Sequence, residues 1–233
     1  MSKTATTMKL SKKTLDILKN FSSINASLFT KKGDKLYTVA RSQTICAEAQ
    51  IDETFDDNFC IYDLSRFLGV ISLFENPEFE FEQKYVTISG NNNSSIKYHF
   101  CEEALLDFYS KNYGKCPKKS KVTYKFDVTS KQIDNLKRAA SLLELNVIEI
   151  SKSTQGGIDI SAVHDDGVTQ NVFNVNIPDG VVLEENSKPA YVDISLLNLY
   201  PGKYKVEVDE LAIKWSNADT DLTYYIAKKQ VKD

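Results

Sequence analysis

Two stretches of this chain repeat one another almost residue type for residue type: Ser11-Lys-Lys-Thr-Leu-Asp-Ile-Leu-Lys-Asn and Thr129-Ser-Lys-Gln-Ile-Asp-Asn-Leu-Lys-Arg. At a constant spacing of 118 (129 minus 11), Ser11 pairs with Thr129, Lys13 with Lys131, Leu15 with Ile133, Asp16 with Asp134, Leu18 with Leu136 and Lys19 with Lys137. A period of about half of 233 residues is too long for a solenoid and fits two copies of one domain. Each stretch opens on a hydroxyl residue that can cap a helix and continues with helix-spaced apolar residues, which predicts helices over 11–21 and 129–142. A second echo pairs Asp63-Leu-Ser-Arg-Phe-Leu-Gly with Asp193-Ile-Ser-Leu-Leu-Asn-Leu at a spacing of 130 (193 minus 63) and predicts a second helix in each copy. The wider spacing implies an insertion in the second copy, which we assign to the loop from Pro178 to Pro189.

Between these helices the chain reads as short strands with turn signals. In the first half they are expected at 27–30, 35–40, 45–51, 55–62, 78–83, 85–89 and 96–100, with Lys31-Lys-Gly-Asp as a hairpin turn that uses Gly33. In the second half they are expected at 122–127, 147–152, 157–162, 170–176, 204–208, 211–215 and 222–227. Few helices among many antiparallel strands predict an α+β fold with helices on one face of a sheet. The domains expected are 1–110, with residues 1–7 as an N-terminal extension, and 121–233. The segment 111–120 is read as a connector within a stretch (102–119) that has no clear alternation.

Hydrophobic residues at 42% and charged residues at 26% are those of a globular protein, and no apolar run approaches the ~18 residues of a membrane helix. The start of the chain has no apolar stretch of a signal peptide. Four cysteines (Cys46, Cys60, Cys101 and Cys116) are scattered without a CxxC pair, and there are two histidines, His99 and His164. We expect thiols in a reducing compartment and no metal site. Phosphate-binding loops, zinc-protease and nucleophile-elbow motifs are missing, and the acid pairs Asp56-Asp57 and Asp165-Asp166 read as solvated loop charges. The expectation is a protein that is not an enzyme and carries no cofactor.

What remains is charge on helix faces. Lys12, Lys13 and Lys19 stand against Asp16 on the first helix, and Lys131, Lys137 and Arg138 against Asp134 on its repeat, a local +2 each time. The net charge of −3 argues against an ordinary DNA-binding domain, but removing those four units leaves −7 (−3 minus +4) on the rest. Segregation of that kind suits a phosphate-facing surface on an otherwise acidic body. Lysines on the outer face of an amphipathic helix are also common without any partner. No aromatic residue interleaves with these cations and no base-reading pattern is present, so sequence-independent contact is the mode expected.

Met8-Lys-Leu-Ser-Lys-Lys-Thr-Leu-Asp-Ile-Leu-Lys-Asn-Phe-Ser-Ser-Ile-Asn closely resembles the start of the DNA polymerase sliding clamps of T-even-type bacteriophages. Ile61-Tyr-Asp-Leu-Ser-Arg-Phe-Leu-Gly-Val-Ile-Ser-Leu and the shorter Pro201-Gly-Lys-Tyr-Lys are similar to later parts of the same family. The connector departs from the proline-rich version of the family. The resemblance implies the DNA clamp fold: two similar domains, each with an antiparallel sheet and two helices, assembled as a homotrimer into a ring with helices lining the hole. It further implies encircled double-stranded DNA, a clamp loader ATPase, the phage DNA polymerase and late transcription as partners and roles, in the cytoplasm of an infected bacterium. The DNA-facing candidates are Lys12, Lys13, Lys19, Lys131, Lys137 and Arg138. The other function this chain could serve is that of a duplicated β-rich virion structural or assembly protein.

Overall fold

The computed structural model describes residues 6–91, 93–117, 121–166 and 171–230. Residues 1–5 of the expected extension, 118–120 of the expected connector and residue 170 of an expected strand lie outside the described residues. The chain divides into two units, Met1–Arg41 with Ala47–Lys115, and Ser42–Cys46 with Cys116–Asp233.

The first unit begins with β1 (Thr6–Met8), which takes in the last two residues of the expected extension; Thr6 and Thr7 pair antiparallel with Phe81 and Glu80. In α1 (Lys12–Ser22) the Ser11 hydroxyl accepts from the Thr14 N–H at 3.2 Å, the cap that the sequence implies. Thr14, Ile17, Leu18 and Phe21 form its buried face. Then come β2 (Leu28–Thr30), β3 (Gly33–Val39) and β4 (Ile45–Phe55), with Gly33 at φ +125°, a conformation that favours glycine. β4 runs through Asp52-Glu-Thr, where the charges suggested a break. The acids are accommodated because Glu53 accepts from the Ser11 N–H and, at 2.6 Å, from the Thr14 hydroxyl, while Asp52 meets Lys13.

β5 (Phe59–Ile61) pairs antiparallel with β2, and α2 (Leu64–Ile71) follows, with the Asp63 carboxylate accepting from the Arg66 N–H at 2.8 Å. A meander of β6 (Glu78–Phe81), β7 (Tyr85–Ser89) and β8 (Ser95–His99) completes a sheet in the order β1-β6-β7-β8. The stretch read as connector is not irregular: a 3-10 turn (Glu103–Leu106) leads into α3 (Asp107–Asn112). Leu106, Tyr109 and Tyr113, spaced like one helix face, pack with Phe29 and Cys60, and Lys111 pairs with Asp107 at 2.7 Å.

The second unit opens with β9 (Tyr124–Thr129), whose Tyr124, Phe126 and Val128 point inward, and α4 (Ser130–Leu143). Thr129 and Gln132 form a reciprocal capping box. β10 (Val147–Lys152), β11 (Ile158–Val163) and β12 (Phe173–Ile177) form a meander, and the expected loop contains β13 (Val181–Val182) and runs into β14 (Ala190–Asp193). The sheet order is β12-β11-β10-β14, with α4 against β11, β12 and β9.

The second helix expected in this copy is only a 3-10 turn, Ile194–Leu196. Pro201 and Gly202 follow within a few residues, and the residue before a proline is driven out of the helical region. Strands β15 (Lys203–Val208), β16 (Ala212–Asn217) and β17 (Leu222–Ala227) extend β13 and β9 in the order β13-β9-β15-β16-β17. Trp215 is fully buried there, edge-on to Phe126 and Tyr204. Burial holds the Tyr204 phenol up to about 12, and burial likewise raises Tyr224 beside it. Among the described residues, no helix is long and apolar enough to cross a membrane.

Candidate nucleic-acid interface

The six basic residues singled out from the sequence are not equivalent. Lys12 and Lys19 are exposed on α1, seven residues apart, which is two helical turns and therefore one face. Lys131 and Arg138 are exposed on α4 at the same interval. None of the four takes part in an ion pair among the described residues. Lys13 and Lys137 lie at the flanks instead, half-buried and engaged within the protein. The Lys13 ammonium sits 3.3 Å from the Asp52 carboxylate, and the Lys137 ammonium donates to the Leu197 carbonyl at 3.1 Å.

The reason is a difference in helical phase. The two N-caps align at a spacing of 118 (129 minus 11). The buried faces align at 119 instead: Thr14, Ile17 and Phe21 match Ile133, Leu136 and Ala140, all with at most 1% exposure. One residue is about 100° around a helix, so the solvent-facing set shifts with the core. Lys12 therefore corresponds to Lys131 and Lys19 to Arg138 (131 minus 12 and 138 minus 19 are both 119), whereas Lys137 corresponds to buried Leu18. Its aliphatic stem lies at the core edge and its ammonium reaches a carbonyl.

In the first unit α1 packs beside α2, and the two helices border a groove of about 530 Å³ lined by Leu15, Asp16, Lys19, Ser65, Leu68 and Phe74. Arg66, next to Ser65 on α2, is exposed and in loose contact with its own cap residue, Asp63, at 3.6 Å. Sequence reasoning passed over Arg66. Its signal was available: Ser65, Arg66 and Gly69 are the polar positions opposite buried Leu64, Phe67 and Ile71. A surface of separated cations on helix faces, with Arg66 alone among them held loosely to a carboxylate, can attract phosphates but supplies no groove-reading element and no nucleophile. Among the described residues, no cluster of three or more acidic, histidine or cysteine side chains is arranged to hold a metal ion.

Residues 9–102 match the family described as DNA polymerase processivity factor. The sliding clamp of Vibrio phage KVP40 is 27% identical over 225 residues, covering 94% of this chain and 98% of that one. A solved structure of PCNA from Thermococcus kodakaraensis shares the fold, with a TM-score of 0.67 at 11% identity over 96% of this chain and 98% of that one. The sliding clamp of Enterobacteria phage T4 is 30% identical over 207 residues, which are 85% of this chain and 86% of that one. An α+β clamp fold, carried by a sequence this similar to phage clamps over nearly its full length, places the chain in the sliding-clamp family of T-even-type bacteriophages.

Proposed function

We propose that three copies of this chain close into a ring around duplex DNA, that Lys12, Lys19, Lys131 and Arg138 face the DNA, and that the ring tethers the phage polymerase. The observation that carries this reading is the matched pair of exposed cations, each two turns apart above a matched buried triad, once in each unit. Repetition of the same charge over the same packing is what equivalent arcs of one ring require. Lys13 and Lys137 serve the protein's own packing in this assignment, and Arg66 joins the DNA-facing set.

Ring closure needs two free sheet edges. In the second unit the outer edge of β14 is partly covered, since the Lys229 N–H donates to the Tyr191 carbonyl at 2.7 Å. β12 is the other edge of that sheet, and β8 is an edge in the first unit, exposed or half-exposed along its whole length. We assign closure to β8 of one subunit and β12 of the next, because unpaired strand edges favour a partner strand. A loader ATPase opens the ring, and the ring supports late transcription, in the cytoplasm of the infected cell.

Weak, diffuse attraction is what such a ring needs. Tight phosphate contacts would resist translocation, and retention comes from topology instead. The test is to load the protein with its loader on nicked circular DNA and then cut the circle. Retention on the closed circle with run-off after cutting is the expected result. Equal dissociation from circular and linear DNA would refute encirclement.

A further inference from the structure

The four cysteines that look scattered in the sequence come together as two pairs, at the two ends of the segment that joins β8 to β9. At its start, Cys101 packs on Cys60 of β5, and the Cys101 N–H donates to the Cys60 carbonyl at 3.0 Å. At its end, the Cys116 and Cys46 sulfurs are 3.9 Å apart, with Cys46 buried in β4 and Cys116 half-exposed. Between them lie the 3-10 turn, α3 and the Tyr109 and Tyr113 rings, which pack against Phe29. Two sulfurs 3.9 Å apart stand about 2 Å from the bonding distance of roughly 2 Å.

We propose that Cys46 and Cys116 form a reactive dithiol that thiol–disulfide exchange converts to a disulfide, clasping the end of the joining segment to β4. The co-reactant is a low-molecular-weight disulfide such as glutathione disulfide. The Cys116 thiolate, on the accessible side, attacks one sulfur and expels one glutathione thiolate, leaving a mixed disulfide on Cys116. Cys46 then gives up its proton, and its sulfur attacks the Cys116 sulfur and displaces the second glutathione. Two protein thiols are oxidised, one external disulfide is reduced to two thiols, and no atom of glutathione stays on the protein. In the other pair, burial pushes the Cys60 thiol up to about 12 and raises Cys101 as well, so the thiolate that would attack there is scarce.

The test incubates the full chain with glutathione disulfide, quenches with acid, alkylates remaining thiols under denaturing conditions and maps unreduced peptides by mass spectrometry. The expected product joins the Cys46 and Cys116 peptides, leaves Cys60 and Cys101 alkylated, and is reversed by dithiothreitol. It should exceed the Cys116–glutathione adduct by about tenfold or more, because sulfurs held in contact react at a high effective molarity. Cys116→Ser should leave Cys46 alkylated, and Cys46→Ser should trap glutathione on Cys116. A stable glutathione adduct in the unsubstituted protein, a Cys60–Cys101 bond formed in preference, or four alkylated cysteines would each overturn the proposal.

Discussion

Replacing Lys12, Lys19, Lys131 and Arg138 together by glutamine tests the division of the basic residues most directly. A cation about 8 Å from a phosphate across water interacts by about 0.5 kcal/mol unscreened and about 0.2 kcal/mol at physiological salt, since 8 Å is one Debye length. A three-subunit ring would hold about twelve such charges, for a total near 2.4 kcal/mol, or about 50-fold in the attraction of the ring for duplex. A single replacement removes three of the twelve charges, about 0.6 kcal/mol, and should cost no more than roughly threefold, while the quadruple variant should load markedly less protein on nicked circular DNA. Its deficit should shrink as salt rises, because the lost interactions are screened ones. The contrasting variant replaces Lys13 and Lys137. The Lys13–Asp52 contact is largely solvated and worth under about 1 kcal/mol, and the Lys137 bond to the Leu197 carbonyl contributes about 1 kcal/mol. That pair should lower the unfolding midpoint and leave loading nearly intact. If the double variant loses loading as severely as the quadruple one, pairing state does not distinguish DNA-facing from structural cations and the reasoning fails.

Three further outcomes concern the scaffold. Gly157→Ala places a methyl 2.2 Å from the Ile177 carbonyl oxygen at a residue with φ +74°, so backbone must move; a loss of about 2 kcal/mol or more is expected in urea denaturation. Trp215→Ala should cost about 3–5 kcal/mol, whereas Trp215→Phe should cost far less, because it also removes a buried indole N–H that has no hydrogen-bond partner among the described residues. Glu207 is held below the ordinary carboxylate range first by its bond to Lys125, 2.9 Å away, with Lys214 at 3.6 Å adding to it. With the folded value below the unfolded one, the stabilisation is full above pH ~4.3 and is lost as pH falls through the folded value. Lys125→Gln should therefore lower the denaturation midpoint at pH 7, and the difference from the unsubstituted protein should shrink as the pH falls through the acid range.

Local signals in the chain announce the elements that local chemistry decides. Ser11, Asp63 and Thr129 cap helices as their types imply, and the alternation at 147–152 and 222–227 becomes strand at those bounds. What stays hidden depends on partners distant in sequence. β4 continues past Ile51 because Ser11, Lys13 and Thr14 receive the acids at Asp52 and Glu53, an exchange across about forty residues that no window of sequence contains. The pairing of Cys46 with Cys116 is of the same kind, across 70 residues. α3 is legible in the helical spacing of Leu106, Tyr109 and Tyr113, although its single turn and a half is too short to show a sustained period.

The candidate site shows the same limit in its sharpest form. Aligning the repeats by their caps, which is what sequence similarity rewards, equates Lys13 with Lys131 and Lys19 with Lys137. Each match then joins an exposed cation to one that the protein itself engages. Burial decides otherwise, because a helix turns about 100° per residue and the core selects which residues face outward. A cap is fixed by a hydrogen bond to the backbone; a face is fixed by what the helix packs on. The two copies kept the first in register and shifted the second by one position, so the solvent-facing cations are conserved as a geometry and displaced as a sequence. Positions seven apart, read from the buried triad rather than from the cap, identify Lys12 with Lys131 and Lys19 with Arg138. With Lys13 and Lys137 removed and Arg66 added, five cations instead of six make a weaker surface, and a weaker surface is the one compatible with a ring that must move along the DNA it holds.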